Sequence, residues 1–539
     1  MGIPSYFSYI VKNHGNIIKK IIDLDCKINN LYLDSNSIIY DCLRRIKLNN
    51  QTFSNYESKL ISEVCLTIDS YVKIVKPNKT LIIAFDGVAP FAKMSQQKNR
   101  RYKSSLDATI NKHLRIYRDI EWDKTAITPG TKFMKKLGLK ISSYYKTKPK
   151  KLGVKNIIIS DSSVVGEGEH KIFDYIRRQK EKHKNETTFI YGLDADLIML
   201  CLNHLHISEK IYLYRETPEF IKSVDRNLEP NESYVLDIPE LGKILSLTLS
   251  NTNTFSSSSN SVSHSIDRLH DYIFICFFLG NDFMPHFPAV NIRTKGIEIM
   301  INAYKNTIGN TNKILTNGNK IYWGNVRKML RWISEEEEDL LKEEYYIRRK
   351  WEKRRYQCNT KEEKSYKFSM MPTYNRLYEE EIDPFTRNWE SRYYKVLFDV
   401  DITKTIKKRI CINYLEGLEW TINYYTHGCI DWKWDYRYHY PPLISDLVKY
   451  IPQWETNLLE PQPEQAVHPN VQLAYVLPKQ SLYLLPKKVK DFLLKKYEDN
   501  YEFTPEIKWS FCKYFWESHV DFPHLDFEEL EKNLIPFCK

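Results

Sequence analysis

Short apolar, β-branched runs recur through the first part of the chain, at Asn30–Leu33, Thr80–Phe85, Asn156–Ser160 and Thr188–Gly192. Segments of helical period separate them. This alternation predicts an α/β region over residues 1 to about 310, a mostly parallel central sheet flanked by helices. Ligands of such sheets gather beyond the carboxyl ends of the strands. Asp34, Asp86 and Asp194 stand at those ends. The Ser- and Asn-rich stretch 251–265 predicts a disordered surface insertion. Over Ser334–Arg355 charge is dense, and Glu338/Lys342 and Glu344/Arg348 have i,i+4 spacing. That pattern predicts a solvated helix within a charged helical linker, 311–375. Globular patterning, rich in Tyr and Trp, resumes over 376–539 as a second region.

A chain of 539 residues is long enough for two or more domains with a sizeable core. Lys and Arg number 80 against 68 Asp and Glu, a net charge of +12. A basic surface persisting around gathered carboxylates suits a nucleic-acid substrate. The ten cysteines include no C-x-x-C pair, which argues against a zinc ribbon or a thioredoxin-like motif and for reduced thiols inside a cell. No apolar run reaches the length of a membrane span. The apolar stretch Tyr6–Val11 is too short for a signal peptide and follows no basic residue.

Five acidic words stand out. They are Leu31-Tyr32-Leu33-Asp34-Ser35-Asn36, Ile82-Ile83-Ala84-Phe85-Asp86, Gly166-Glu167-Gly168-Glu169-His170, Tyr191-Gly192-Leu193-Asp194-Ala195-Asp196 and Leu279-Gly280-Asn281-Asp282. Singly, each has a bland explanation: a helix cap at Asp34, a turn at Asp86-Gly87, first-turn acids at Glu167 and Glu169, a helix end at Gly280. Asp194 and Asp196 share a face if their segment is extended. Jointly, in one α/β region, they predict an all-oxygen site for hard divalent cations. A pair of such ions is the usual machinery for phosphodiester cleavage.

A second feature is Lys93-Met94-Ser95-Gln96-Gln97-Lys98-Asn99-Arg100-Arg101. As a helix it puts Lys93, Gln97, Arg100 and Arg101 on one face, a phosphate pocket rather than a solvated basic surface when it stands beside carboxylates. A third is the aromatic stretch from Trp420 to Tyr440, including Tyr424, Tyr425, Trp432 and Trp434. Most of these rings belong to a core, and one or two face substrate, because base stacking on aromatics tolerates any sequence.

These words resemble the XRN family of 5′→3′ exoribonucleases over nearly the whole chain. Met1-Gly2-Ile3-Pro4, the acidic words, Gly87-Val88-Ala89-Pro90, Ile127-Thr128-Pro129-Gly130-Thr131 and His170-Lys171-Ile172 carry the likeness in the first region. Gly417-Leu418-Glu419-Trp420, His439-Tyr440 and Gln472–Pro478 carry it in the second. The resemblance implies a PIN/FEN-like nuclease core walled by a second, largely helical region packed around the active site, a minimal catalytic core. It implies processive hydrolysis of single-stranded RNA from a 5′-monophosphate end, as in mRNA turnover, releasing nucleoside 5′-monophosphates. Asp34, Asp86, Glu167, Glu169, Asp194, Asp196 and Asp282 would hold Mg²⁺, two ions, with Mn²⁺ as a substitute. Lys93, Gln97, Arg100 and Arg101 would form the 5′-phosphate pocket, with Lys93 also at the scissile phosphate. Gly2, Ile3 and Pro4 would lie near the entrance.

The chain departs from the family pattern at Tyr40, where a His usually stacks on the 5′ base. The ring opposite would be Trp434. The stretch from Arg101 to Ile127 is shorter than the family's projecting helix. Expected partners are RNA and a decapping enzyme, with no membrane, a monomeric state and a cytoplasmic location. The Lys-, Ile-, Asn- and Tyr-heavy composition suggests an AT-rich genome, as in a large DNA virus or a protist. Two other readings compete. A flap-type DNA endonuclease shares the fold, but the Gly-rich hairpin expected after Asp282 is replaced by Phe283-Met284-Pro285-His286. An inactive RNA-binding scaffold would have lost a metal carboxylate, and none is missing.

Overall fold

All four predicted strands form and pair in parallel. The structure is a computed structural model describing residues 3, 5–24, 26–46, 53–113, 122–216, 228–229, 233–250, 259–463 and 465–538. Its main sheet contains β1 (Ile18–Lys20), β2 (Asn30–Asp34), β3 (Thr80–Ala84), β4 (Asn156–Ser160), β5 (Thr188–Tyr191), β6 (Ile211–Glu216) and β7 (Ser233–Asp237). The spatial order is β1-β7-β6-β5-β2-β3-β4. Strands β2 to β6 pair in parallel, and β7 and β1 add an antiparallel edge. Every residue of β2, β3 and β5 is buried, as strands covered on both faces require. The order reverses between β2 and β5, so a crevice opens at their carboxyl ends, where the Asp34 and Asp194 words lie.

Three expectations change. The proposed disordered insertion does not extend over its whole range: 251–258 lie outside the described residues, but a helix spans Ser259–Phe277. Its far half, Tyr272–Phe277, is wholly buried, and helix formation propagates backward from that anchor. The expected charged helical linker, 311–375, carries helices that pack. The helix Trp323–Ser334 buries Trp323, Val326, Met329, Leu330 and Ile333 in the core that covers the sheet. Finally, the charge-dense helix Glu337–Glu352 is solvated on one face only. Lys342 pairs with Glu338 at the surface, as its spacing predicts. Glu337, Leu341, Glu344, Tyr345 and Arg348 form its buried stripe. Arg348 bonds not Glu344 but Glu379, at 2.6 and 2.8 Å. Spacing fixes which residues share a face; the neighbours Leu341 and Tyr345 decide that this face is buried.

The second region is largely helical, with one hairpin, Glu506–Lys508 against His519–Asp521. Its long helix Lys404–Thr426 enters the sheet-covering core through Tyr414, Leu418, Trp420 and Tyr425. A further core joins Val88 and Met94 to Leu473, Leu482, Leu493 and Leu530. The second region is thus packed onto the sheet at the crevice. Ile3 is buried, while Gly2 and Pro4, expected at the entrance, lie outside the described residues. The basic helix runs Phe91–His113.

Candidate active site

Asp34 is the last residue of β2 and 6% exposed, and its Oδ1 has no hydrogen-bond partner. Asn36 opens the next helix and donates from Nδ2 to Asp86 at 2.6 Å, while Asp86 donates its backbone N–H back at 3.1 Å. The other Asp86 oxygen accepts from the Gly168 N–H at 2.8 Å. Gly168 is required here, because a Cβ would stand 2.6 Å from the Asp34 carboxylate and 3.5 Å from that of Asp86. Two acidic words are thereby brought into contact through the third. Glu167 caps the helix Gly168–Arg178 and Glu169 lies in its first turn, where the helix dipole favours carboxylates.

The Asp194 word is not extended. Asp194 lies in the loop after β5 and Asp196 begins the helix Asp196–Asn203. Both carboxylates still reach the cluster. Burial, then the charge of Asp282, pushes Asp196 up to about 7. Burial raises Asp34 well above the carboxylate range, with Asp86, Asp194 and Glu167 adding to it. Glu169 is raised by burial, then by Glu167 and Asp34. The turn that delivers Asp282 uses Gly280 at φ +83°, with Asn281 Oδ1 accepting from the N–H groups of Phe283 and Met284 at 2.9 Å.

Lys93 reaches from the basic helix into this cluster. Its ammonium donates to Asp282 at 2.6 Å and lies 2.5 Å from Glu167. Burial opposes its charge, but Asp282 and Glu167 outweigh burial and hold it protonated. One lysine does not offset the seven carboxylates. Such a concentration of buried negative charge is costly unless cations share the site. The orphaned oxygens of Asp34 and Asp196 fit that requirement, as does the oxygen-rich donor set. Glu167, Glu169 and His170 also bring ligand atoms within 4.8 Å of one another.

Two partners were not legible as site residues. Tyr424 donates to Glu167 at 2.8 Å, and the ring of His170 stacks on Tyr424 at 3.7 Å. The signals in the chain were that His170 closes the Glu167 word and that Tyr424 belongs to the aromatic stretch.

Along the basic helix, Arg101 donates to Gln97 at 3.3 Å and to Thr128 at 2.8 Å. Gln97 also accepts from Gln472 of the second region at 3.2 Å. Burial draws Arg101 down to about 10. Arg100 is exposed and shares a cavity wall with Asp282. Tyr40 is 36% exposed and close enough to Arg101 to act on its charge. Trp434 is only 7% exposed, and one face is taken by Trp420 at 5.3 Å.

Comparison with known proteins gives consistent matches. Residues 1–217 match the XRN 5′-3′ exonuclease N-terminus, and 263–382 and 373–538 match the Xrn1 helical domain. The 5′-3′ exoribonuclease 2 homolog of Drosophila melanogaster is 28% identical over 100% of this chain and 71% of its own length. The 5′-3′ exoribonuclease 2 of Arabidopsis thaliana is 27% identical over 83% of this chain and 58% of its own. The 5′-3′ exoribonuclease 1 of Saccharomyces cerevisiae is 26% identical over 94% of this chain and 41% of its own. The chain therefore spans about half the length of several curated relatives it matches.

Proposed function

The chain belongs to the XRN 5′-3′ exonuclease family, and we propose that it degrades single-stranded RNA processively from a 5′-monophosphate end, releasing nucleoside 5′-monophosphates. The observation that carries this reading is the buried carboxylate cluster, with Lys93 reaching into it, at the foot of a basic helix. Mg²⁺ is the proposed ion, as a pair, with Mn²⁺ able to replace it on the same oxygen donors. Asp34, Asp86, Glu167, Glu169, Asp194, Asp196 and Asp282 would hold it. When bound, the ions supply a strong nucleophile at neutral pH and charge stabilisation for the leaving oxygen.

The protein's own groups set the geometry. Asn36 orients Asp86, and Tyr424 orients Glu167. Lys93 keeps its proton in a buried place and presents a cation to the scissile phosphate. Gln97, Arg100 and Arg101 would receive the 5′-phosphate, with the Arg101 guanidinium pre-set by Gln97 and Thr128. A pocket of this kind admits one phosphate and turns away a cap. Tyr40 would stack on the first base, with Trp434 opposite.

A decapping enzyme would supply such ends in mRNA turnover, and we place the protein in the cytoplasm as a monomer. Among the described residues no helix is long and apolar enough to cross a membrane.

The test is an end-labelled RNA bearing a 5′-monophosphate, a 5′-hydroxyl or a cap, incubated with Mg²⁺ or with a chelator. The expected result is Mg²⁺-dependent loss of the monophosphate form alone, with mononucleotide products. Internal cuts independent of the 5′ end would instead support an endonuclease, and binding without cuts a scaffold.

A further inference from the structure

Behind the basic helix lies a cavity of about 360 Å³ that Lys93, Gln97 and Arg101 do not line. Its size is that of small-molecule sites, roughly 300–1,000 Å³, and too small for a folded or duplex nucleic acid. It meets the candidate active site at two shared residues, Arg100 and Asp282. Its wall holds Lys98 and Lys103, which are 5% and 9% exposed. The Lys98 ammonium lies 4.6 Å from the Tyr475 ring and 4.4 Å from the Phe522 ring, and among the described residues no carboxylate pairs with it. Lys103 donates only to backbone carbonyls, those of Trp516 and Ser518. Of the acids in the same wall, Asp282 is engaged by Lys93 and Glu517 by Arg293, while burial raises Asp435 to about 6 against the charge of Arg437. Lys98 has burial alone acting on it, and at Lys103 burial outweighs the charge of Glu517; an anion in the cavity beside them relieves that cost. Burial alone draws Lys98 down to about 8, the strain expected of a cation waiting for a partner. Among the described residues, Asn281 in this wall keeps a buried, unpartnered Nδ2. Tyr436 and Tyr438 supply aromatic surface beside these polar groups.

We propose that this cavity binds a single nucleoside 5′-monophosphate, its phosphate at Lys98 and Lys103 and its base against the tyrosines, as a vestibule through which the cleaved nucleotide leaves. The name of the ligand rests on the exonuclease reading; the anion site does not. Arg100, common to both sites, would hand the phosphate from one to the other.

The full chain, in chelator, is titrated calorimetrically with AMP, with UMP and with inorganic phosphate. Wild type is compared with Lys98→Met, Lys103→Met and Gln97→Ala, each first checked for an unchanged melting temperature. The expected result is a loss of about tenfold in nucleotide affinity for either lysine variant, the scale of one charged contact. Gln97→Ala should weaken only the component of the titration that belongs to the 5′-phosphate pocket and leave the cavity's component unchanged. Wild-type affinity in both lysine variants, or loss in Gln97→Ala alone, overturns the proposal. So does phosphate binding as tightly as the nucleotides, since the base would then contribute nothing. A photoreactive nucleoside monophosphate gives a test without variants: crosslinks are expected at Tyr436 or Tyr438, and crosslinks confined to the Gln97 side contradict the assignment. Cleavage of 5′-phosphorylated RNA is scored separately. Its absence beside intact nucleotide binding sinks the exonuclease reading and spares the cavity; the reverse sinks the cavity alone.

Discussion

Buried charge occurs in two regions of this molecule, and the two are built differently. In the helical half, Arg348 and Arg376 flank Glu379, and further acceptors come from the carbonyls of Pro372 and Cys512. Burial works against that glutamate's charge, but the two arginines hold it below the usual carboxylate range. At the sheet end, by contrast, burial raises Asp34, Glu169 and Asp196, and neighbouring carboxylates add to it. In the first network opposite charges are paired within the chain, and it serves packing. The second is incomplete without added positive charge, and that incompleteness separates a binding site from a structural ion pair.

Substitutions can break this contrast on either side. The largest effect is expected for Asp194→Ala. Removing a cation ligand forfeits several kcal/mol of transition-state stabilisation, roughly 10³-fold or more in rate. RNA binding, measured by anisotropy, should persist because the basic helix is untouched. Undiminished turnover would refute the cluster as the reaction centre. Next comes Arg348→Met, which leaves buried Glu379 with Arg376 but without its two bonds from Arg348. It should destabilise the fold by about 3–5 kcal/mol in urea titration while sparing the cleavage rate of the folded fraction. A variant of wild-type stability would mean that this network is not structural. Arg100→Ala should reduce the preference for 5′-monophosphate over 5′-hydroxyl RNA by about 10- to 100-fold, the worth of a charged hydrogen bond. Equal loss on both substrates would argue against the pocket role. Smaller still, Tyr424→Phe removes the hydrogen bond to Glu167 and should slow turnover about fivefold, near 1 kcal/mol, with KM little changed. Lys342→Ala, at the exposed pair with Glu338, should change neither stability nor turnover measurably.

Much of the sheet side was legible in the sequence because parallel strands buried on both faces are continuous apolar runs, and the acids follow directly after them. β6 and β7 were not read from the sequence, and β7 pairs antiparallel with both neighbours. The helical half was legible mainly as a family resemblance. Nothing in the local spacing of Arg348 points to Glu379, 31 residues away, and its neighbour Glu344 offered a plausible but wrong partner. Tyr424 and Glu167 are 257 positions apart, so their contact exists only once the long helix packs on the sheet. Local periodicity reports faces of elements; which faces meet is decided by tertiary packing.

The most direct test of the central claim is binding of the cation itself. Mn²⁺ is titrated into wild type, Asp34→Asn and Asp196→Asn, and free Mn²⁺ is read by electron paramagnetic resonance. Saturable binding in wild type, lost or strongly weakened in both variants while their melting temperatures hold or rise, is the predicted result. Equal binding in all three proteins would place the cation elsewhere and contradict the account.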